Sequence, residues 1–443
     1  MQAVIIAAGK GSRMSHLYSP KPLTPIFGLR LIERIILVGK RAGVDDFKIV
    51  VGYEGTKIKK VIGSGKKYGV RIQYIDNPDW QKGNGMSVLK AKDSVQGKFL
   101  LLMSDHLCDE KILSKLLKAD VEDGQCVLGV DKNLTGEHFD LNDVTRAFCQ
   151  DGHVKYIDKS LEDFNAIDTG VFLCTPVIFD ALEKSCGQGQ YSLSAGNQIL
   201  AREGRLKSLD ATGCFWVDVD NEQVLKKARE MLIQQLFKPT DGPISKRLNR
   251  RVSTKISARL AKYHVSPNSI TVASFGLAIL SALFFFLGSY QYVVIAGVMA
   301  QLSSILDGCD GEIARLKFKF SAFGEWLDRI LDRYSDGLIV LGMTYGVWSA
   351  DASDYVWIAG FLALMGTYMN SYTAIVYDEL LRNNLLPGPT LRMGRDVRLF
   401  IIFLGSLFNQ LITTLFILGV ITNVESIRRL FTLRNRYKFE TAH

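Results

Sequence analysis

The chain has 443 residues, a length suited to two or three domains rather than one. Its 47% hydrophobic and 22% charged residues exclude a disordered, collagen-like or disulfide-scaffold protein, and its seven scattered cysteines contain no CxxC pair for zinc or redox chemistry. The net charge of +9 is concentrated: eight cations between Lys238 and Lys262 face one anion, Asp241, just before an apolar stretch, which favours a membrane surface over nucleic acid. The mean hydropathy of +0.10 averages two unlike halves. Up to about residue 240 apolar and charged stretches alternate as in a water-soluble domain; from Ile270 onward one long apolar run follows another.

The run Gln2–Ala8 reads as a buried strand, and Gly9-Lys10-Gly11-Ser12-Arg13 follows at once. β-Branched runs at Phe47–Val51, Arg71–Ile75, Phe99–Met103 and Cys126–Val130 alternate with amphipathic stretches such as Leu31–Lys40 and Lys111–Leu117. The alternation predicts an α/β, Rossmann-like domain over residues 1–237, with a mostly parallel sheet covered on both faces. Ligands of such sheets bind at the carboxyl ends of strands, where the glycine loop sits. Two glycines two apart bring backbone N–H groups close to a phosphate, and Lys10 and Arg13 supply countercharge. The companions, in order, are Lys21-Pro22-Leu23, Gly83-Asn84-Gly85-Met86-Ser87, Asp105 after an apolar strand, Asp168-Thr169-Gly170, and Trp216-Val217-Asp218-Val219-Asp220-Asn221. Asp168 reads equally well as a turn residue, and His106, with no second histidine at metal spacing, as structural.

This set covers nearly all of residues 1–235 and resembles the nucleotidyltransferases that join a nucleoside triphosphate to a sugar phosphate or alcohol phosphate. The resemblance implies that Ala8, Gly9, Gly11, Ser12 and Asn84 bind the nucleotide, that Arg13 grips the triphosphate, and that Lys21 stabilises the transferring phosphoryl group. Asp105 and Asp220 would hold one Mg²⁺ (or Mn²⁺), with Asp218 behind them.

Gly242-Pro243 breaks the chain after a helix ending near Leu236. Ile244, Leu248, Val252, Ile256 and Leu260 then recur at every fourth residue with Lys and Arg between them, which predicts an interfacial amphipathic helix within a linker at 238–268. Apolar stretches at 269–288, 291–306, 323–349, 354–377, 397–409 and 410–425 predict six transmembrane helices in an all-α domain at 269–443. Arg315–Lys319, Arg382–Arg398 and Arg428–Lys438 are basic while Asp351–Asp354 is acidic, so both chain ends, the soluble domain and the active sites are expected on the cytoplasmic side of a multi-pass cell-membrane protein.

Asp307, Asp310, Glu312, Arg315, Glu325, Asp328, Asp332 and Asp336 stand inside this apolar region, where charge is costly and functional by default. Asp307 and Asp310 lie three apart, Asp328 and Asp332 four apart, so each pair shares a helix face. Four converging carboxylates without a matching cation cluster require divalent metal; an ion-pair network would need four arginines, and only Arg315, Arg329 and Arg333 stand near. Gly308, Gly311, Ala314 and Gly324 remove bulk around them. Written out, Asp307-x2-Asp310-Gly311-x2-Ala314-Arg315-x8-Gly324-x3-Asp328-x3-Asp332 resembles the signature of the CDP-alcohol phosphotransferases, with every position filled. The resemblance implies a homodimeric membrane enzyme that cleaves a CDP-alcohol and releases CMP. Asp307, Asp310, Asp328 and Asp332 would form the metal centre, Asp332 also taking the acceptor's proton, and Gly308, Gly311, Ala314 and Arg315 would accommodate the cytidine nucleotide. Arg329 and Arg333 each follow a signature aspartate directly, beside the metal face, where an acceptor phosphate could bind.

The order of the two halves resembles the bifunctional inositol-1-phosphate cytidylyltransferase / CDP-inositol:inositol-1-phosphate transferase family. In that family CTP and inositol-1-phosphate give CDP-inositol, which a second inositol-1-phosphate attacks to form a phosphorylated di-inositol phosphodiester. The partners so implied are CTP, inositol-1-phosphate, CDP-inositol, a lipid bilayer and a second copy of the chain, with no nucleic acid. Two other readings stand beside it: a phospholipid synthase using a lipid CDP-alcohol, with the soluble half serving another step, or a soluble half that is a non-catalytic docking module. Intact Gly11, Arg13, Lys21, Asp105 and Asp220 argue against the docking module, while the shared membrane signature leaves a lipid donor open.

Overall fold

The computed structural model describes residues 1–14, 18–135, 144–237, 241–382 and 393–440. Lys238 of the basic cluster and most of the basic 382–398 loop, Arg392 included, lie outside the described residues. Two compact units divide the chain, residues 1–231 and 232–443.

The strands of the first unit are β1 (Gln2–Ala7), β2 (Pro25–Ile26), β3 (Leu29–Arg30), β4 (Asp46–Val51), β5 (Arg71–Asp76), β6 (Phe99–Met103), β7 (His106–Cys108), β8 (Cys126–Asp131), β9 (Arg146–Gln150), β10 (His153–Asp158), β11 (Ala166–Cys174), β12 (Leu206–Asp210) and β13 (Trp216–Asp218). Its helices are α1 (Leu31–Arg41), α2 (Gly55–Ile62), α3 (Asn84–Leu89), α4 (Glu110–Leu117), α5 (Val177–Gly187), α6 (Leu193–Arg202) and α7 (Glu222–Gln234). Among the described residues nine strands form the main sheet, in the order β5-β4-β1-β6-β11-β8-β12-β10-β9. Strands β5, β4, β1 and β6 run parallel and are apolar along nearly their whole length at the centre, because helices cover both faces.

The sheet is mixed rather than mostly parallel. β11 pairs antiparallel with both β6 and β8, and β9 and β10 form a hairpin. The hairpin is made by the turn Asp151-Gly152, both residues at positive φ (52° and 74°), which joins β9 to β10 without a helical crossover. Phe99 of β6 stacks on Phe179 of α5 with ring centroids 5.6 Å apart, deep in the core beside Val4, Leu101 and Phe172.

The second unit holds α8 (Arg250–Leu260), α9 (Pro267–Phe286), α10 (Tyr290–Leu316), α11 (Ala322–Asp351), α12 (Tyr355–Arg382), α13 (Arg395–Leu407) and α14 (Leu411–Glu440). Among the described residues three helices are long and apolar enough to cross a membrane: α9, α10 and the Leu411–Thr432 part of α14. α11 carries six charges between Glu325 and Asp336, and α13 spans only 13 residues, which is why the six expected spans do not all meet that measure. Small residues let α9 and α11 touch: a Cβ on Gly342 would stand 2.5 Å from the Ala282 carbonyl oxygen.

Helix α8 turns a polar face inward beside Ile256 and Leu260, which pack against buried Ile270, Cys309 and Ile313. Arg250, Ser253 and Ser257 are buried, while Leu248 just before it and Val252 are exposed among Lys246, Arg247, Arg251 and Lys255. Glu312 of α10 is fully buried and explains that polar face. It accepts from Arg250 Nη1 (2.6 Å) and Ser253 Oγ (2.6 Å), while the other side of the guanidinium grips Asp241 (2.9 Å). Asn249 adds bonds to Ser304 and Gln301. Glu312 is therefore a structural clamp rather than part of the acidic centre. Arg250→Ala should leave it as an uncompensated buried charge and lower stability by about 3–5 kcal/mol. Thermal unfolding of the detergent-solubilised protein measures this, and a loss below about 1 kcal/mol contradicts the clamp.

Candidate active sites

In the first unit a cavity of 340 Å³ opens at the carboxyl ends of β1 and β6, lined among others by Gly9, Gly11, Arg13, Lys21, Asn84 and Asp105. Gly11 has φ +60°, and a Cβ there would sit 2.6 Å from Lys21 Cβ, so the loop and the lysine can coexist only with glycine. A Cβ on Gly9 would meet nothing within 4 Å, leaving that backbone open to a ligand. Asn84 also lines the cavity, and its Oδ1 accepts from Leu193 N (2.8 Å), tying α3 to the start of α6. Ala8 is buried with its carbonyl given to Tyr53 N (2.9 Å), and Ser12 is exposed; neither lines the cavity.

The acidic groups arrive from different segments. Asp105 follows β6, while β13 pairs antiparallel with β7 so that Asp218 lies opposite His106 and Asp220 follows. Trp216 anchors this ribbon, its Nε1 donating to buried Asp131 (2.8 Å). Lys21 Nζ sits among all three carboxylates, 2.7 Å from Asp105, 2.6 Å from Asp220 and 3.9 Å from Asp218, and Arg13 stands 3.4 Å from Asp220. Burial alone would lower the lysine pKa, but the three aspartates outweigh it and push it up, so the ammonium stays charged. Burial pushes Asp218 up to about 7 against the pull of His106.

Asp105, His106 and Asp218 place ligand atoms within 4.8 Å of one another. Burial opposes charge on the imidazole, yet Asp218 and Asp105 raise its pKa to about 9, so at neutral pH the ring is a counter-ion at 3.1 Å from Asp105 rather than a lone-pair donor. The donor set that suits a hard cation is carboxylate: Asp105 and Asp220 converge on one ammonium, and Asp218 Oδ1 is buried without a hydrogen bond. Asp168 is also at the cavity. A bulge in β11 between Asp168 and Phe172 turns it there, and burial raises its pKa to about 6. Lys159, which the sequence reading did not single out, lines the same cavity from the β10–β11 connection.

In the second unit Asp307, Asp328 and Asp332 bring carboxylate oxygens within 4.8 Å of one another, and Asp328 Oδ1 is buried without a hydrogen bond, which fits a divalent cation. Two cavities flank these helices. One, of 580 Å³, is lined by Asp310, Gly311, Ala314, Arg315, Gly324 and Asp328 among others, and Thr271 donates to Asp310 (2.6 Å). Gly308 faces the other way: a Cβ there would lie 3.5 Å from Arg250 Nη1 of α8. The second cavity, of 720 Å³, borders Asp332 and is walled by Arg329, Arg333, Arg395, Arg398 and Arg429. Arg329 also pairs with Glu325, and Arg333 stands 3.5 Å from Asp332.

The expectation that no cation cluster matches the aspartates is corrected here. Arg395 Nη1 lies 2.7 Å from Asp332 and 3.1 Å from Asp307, its Nε donates to Asp336 (3.2 Å), and Arg398 Nη2 donates to Asp336 (2.7 Å). The signal was Arg395 and Arg398, three apart at the head of an apolar run, matching Asp332 and Asp336, four apart.

Residues 3–170 match the family model of the MobA-like NTP transferase domain, and residues 264–424 that of CDP-alcohol phosphatidyltransferase. The chain is 33% identical to the bifunctional IPC transferase and DIPP synthase of Rubrobacter xylanophilus, covering 98% of this chain and 96% of that one. It is 34% identical to the protein of the same name from Thermococcus kodakarensis, covering 95% and 94%. A solved structure of the inositol-1-phosphate CTP transferase from T. maritima is 24% identical with a TM-score of 0.46, covering 52% of this chain and 96% of that one. The chain thus carries a nucleotidyltransferase and a CDP-alcohol phosphotransferase in succession and belongs to the family of bifunctional IPC transferases and DIPP synthases.

Proposed function

We propose that the first site joins CTP to inositol-1-phosphate, giving CDP-inositol and pyrophosphate, and that the second transfers the phospho-inositol group to another inositol-1-phosphate with release of CMP. The observation that carries this reading is the arginine-walled cavity against Asp332: a phosphorylated, water-soluble acceptor needs such a wall, and a neutral one does not.

In the first site the Gly9–Gly11 backbone and Arg13 hold the triphosphate, and Lys21 carries its retained charge to the phosphoryl group under attack. Lys159 faces the same cavity as a grip for the inositol phosphate. In the second, Gly311, Ala314 and Arg315 seat the cytidine nucleotide, and Asp332 takes the proton of the acceptor hydroxyl from its place in the wall of the arginine-lined cavity. Mg²⁺ or Mn²⁺, held by Asp105 and Asp220 in one site and by Asp307, Asp310, Asp328 and Asp332 in the other, withdraws negative charge from the phosphates when bound.

The same reading assigns residues 1–237 to cytidylyl transfer, 238–268 to the linker and interfacial helix, and 269–443 to a six-span membrane domain paired with a second copy. Both sites face the cytoplasm. The exposed apolar and basic residues around α8 support its place on an anionic lipid surface. Arg333→Gln and Arg398→Gln should each raise KM for inositol-1-phosphate about tenfold and spare KM for CDP-inositol, in steady-state assays of the second step. Unphosphorylated inositol serving equally well as acceptor would refute the reading.

A further inference from the structure

The guanidinium of Arg395 occupies an unusual position. It is held firmly at one end, where Nε donates to buried Asp336, and loosely at the other. Nη1 stands at ion-pair distance from Asp307 and Asp332, yet none of these contacts has hydrogen-bond alignment, and the atom is buried. Asp336 does not depend on it, since Arg398 Nη2 donates to the same carboxylate at 2.7 Å. Arg395 also forms part of the wall of the 720 Å³ cavity, so the side chain borders open space.

Asp307, Asp328 and Asp332 bring carboxylate oxygens within 4.8 Å of one another, an arrangement of like groups that a positive charge among them stabilises. Arg395 supplies one, at the edge of the seat that a divalent cation would take. We propose that Arg395 is an exchangeable counter-ion: it neutralises Asp307 and Asp332 in the metal-free enzyme, and it turns into the arginine-walled cavity when a divalent cation takes those carboxylates. Pivoting about Asp336, its Nη1 then meets an anion in the cavity instead of the aspartates. Metal and phosphate binding thereby reinforce each other, because the cation frees the arginine and the phosphate holds it away; by linkage the two effects are equal. The proposal rests on reading the aspartates as a metal centre, but not on the identity of the acceptor.

The test uses the full-length chain in detergent, with Asp105→Ala and Asp220→Ala to silence the soluble site, no CDP-alcohol present, and Mn²⁺ binding read by electron paramagnetic resonance with and without inorganic phosphate. Phosphate should tighten Mn²⁺ binding about fivefold, and Arg395→Gln should tighten it about tenfold without phosphate and abolish the further gain. Arg333→Gln, which removes an equal charge 3.5 Å from Asp332 and one cation of the phosphate-binding wall, should tighten binding less and keep the full phosphate effect at saturating phosphate, reached at a higher phosphate concentration. Arg395→Lys retains the charge with fewer donors and should fall between wild type and Arg395→Gln, which covers the case of a poorly folded glutamine variant. Equal tightening by Arg333→Gln and Arg395→Gln, or an undiminished phosphate effect in both Arg395 variants, overturns the exchange. Absence of any Mn²⁺ binding in the parent chain refutes the metal centre itself, and so separates that failure from this one.

Discussion

Asp332→Asn is expected to reduce transfer from supplied CDP-inositol about a thousandfold or more while leaving CDP-inositol formation from CTP at the wild-type rate. The substitution preserves shape but removes the carboxylate at the meeting point of the second centre. Arg395 Nη1 loses its 2.7 Å partner, the Asp307–Asp328 pair loses its third ligand, and the acceptor hydroxyl loses its base. Asp332 belongs to the second unit and lines none of the first unit's cavity, so the cytidylyl-transfer chemistry has no reason to change. Residual transfer within about tenfold of wild type would remove Asp332 from the catalytic role.

The converse substitution, Asp105→Ala, should lower CDP-inositol formation by about two to three orders of magnitude and spare transfer from supplied CDP-inositol. Three consequences combine in it. Lys21 loses a partner at 2.7 Å, His106 loses one at 3.1 Å, and the carboxylate pair with Asp220 is reduced to a single group. Asp105→Asn keeps the side-chain volume and distinguishes loss of charge from loss of packing. Rates of both half-reactions on both variants, with melting temperatures as a folding control, check the prediction; loss of both activities in a folded Asp105 variant contradicts two separate sites.

Much of this arrangement is written locally in the chain. Ala3–Ala7 is apolar throughout because a central parallel strand is covered on both faces, and Gly11 is forced by the close approach of Lys21. The signature aspartates at three- and four-residue spacing point together because helix geometry makes them do so. What was hidden depends on partners distant in sequence. The antiparallel β9–β10 pair comes from the Asp151-Gly152 turn, a local signal that interrupts the βα rhythm before it, whereas the antiparallel pairing of β11 with β6 and β8 depends on strands distant in sequence. Glu312, one of the charges inside the apolar region, owes its place to Arg250, 62 residues earlier. Arg395 and Arg398 stand in the sequence as part of the basic 382–398 stretch, whereas the packing of α13 puts both against Asp336. Periodicity reports which face a residue occupies, not which face of another helix it will meet.

One chain should both make a CDP-alcohol and consume it. A time course decides this, run on the purified full-length protein reconstituted in lipid, with CTP, Mg²⁺ and inositol-1-phosphate as the only substrates and products identified by mass. CDP-inositol should rise first, and CMP should then appear together with a phosphorylated di-inositol phosphodiester. CDP-inositol that accumulates without CMP, in a preparation where added lipid acceptors do trigger CMP release, would contradict it.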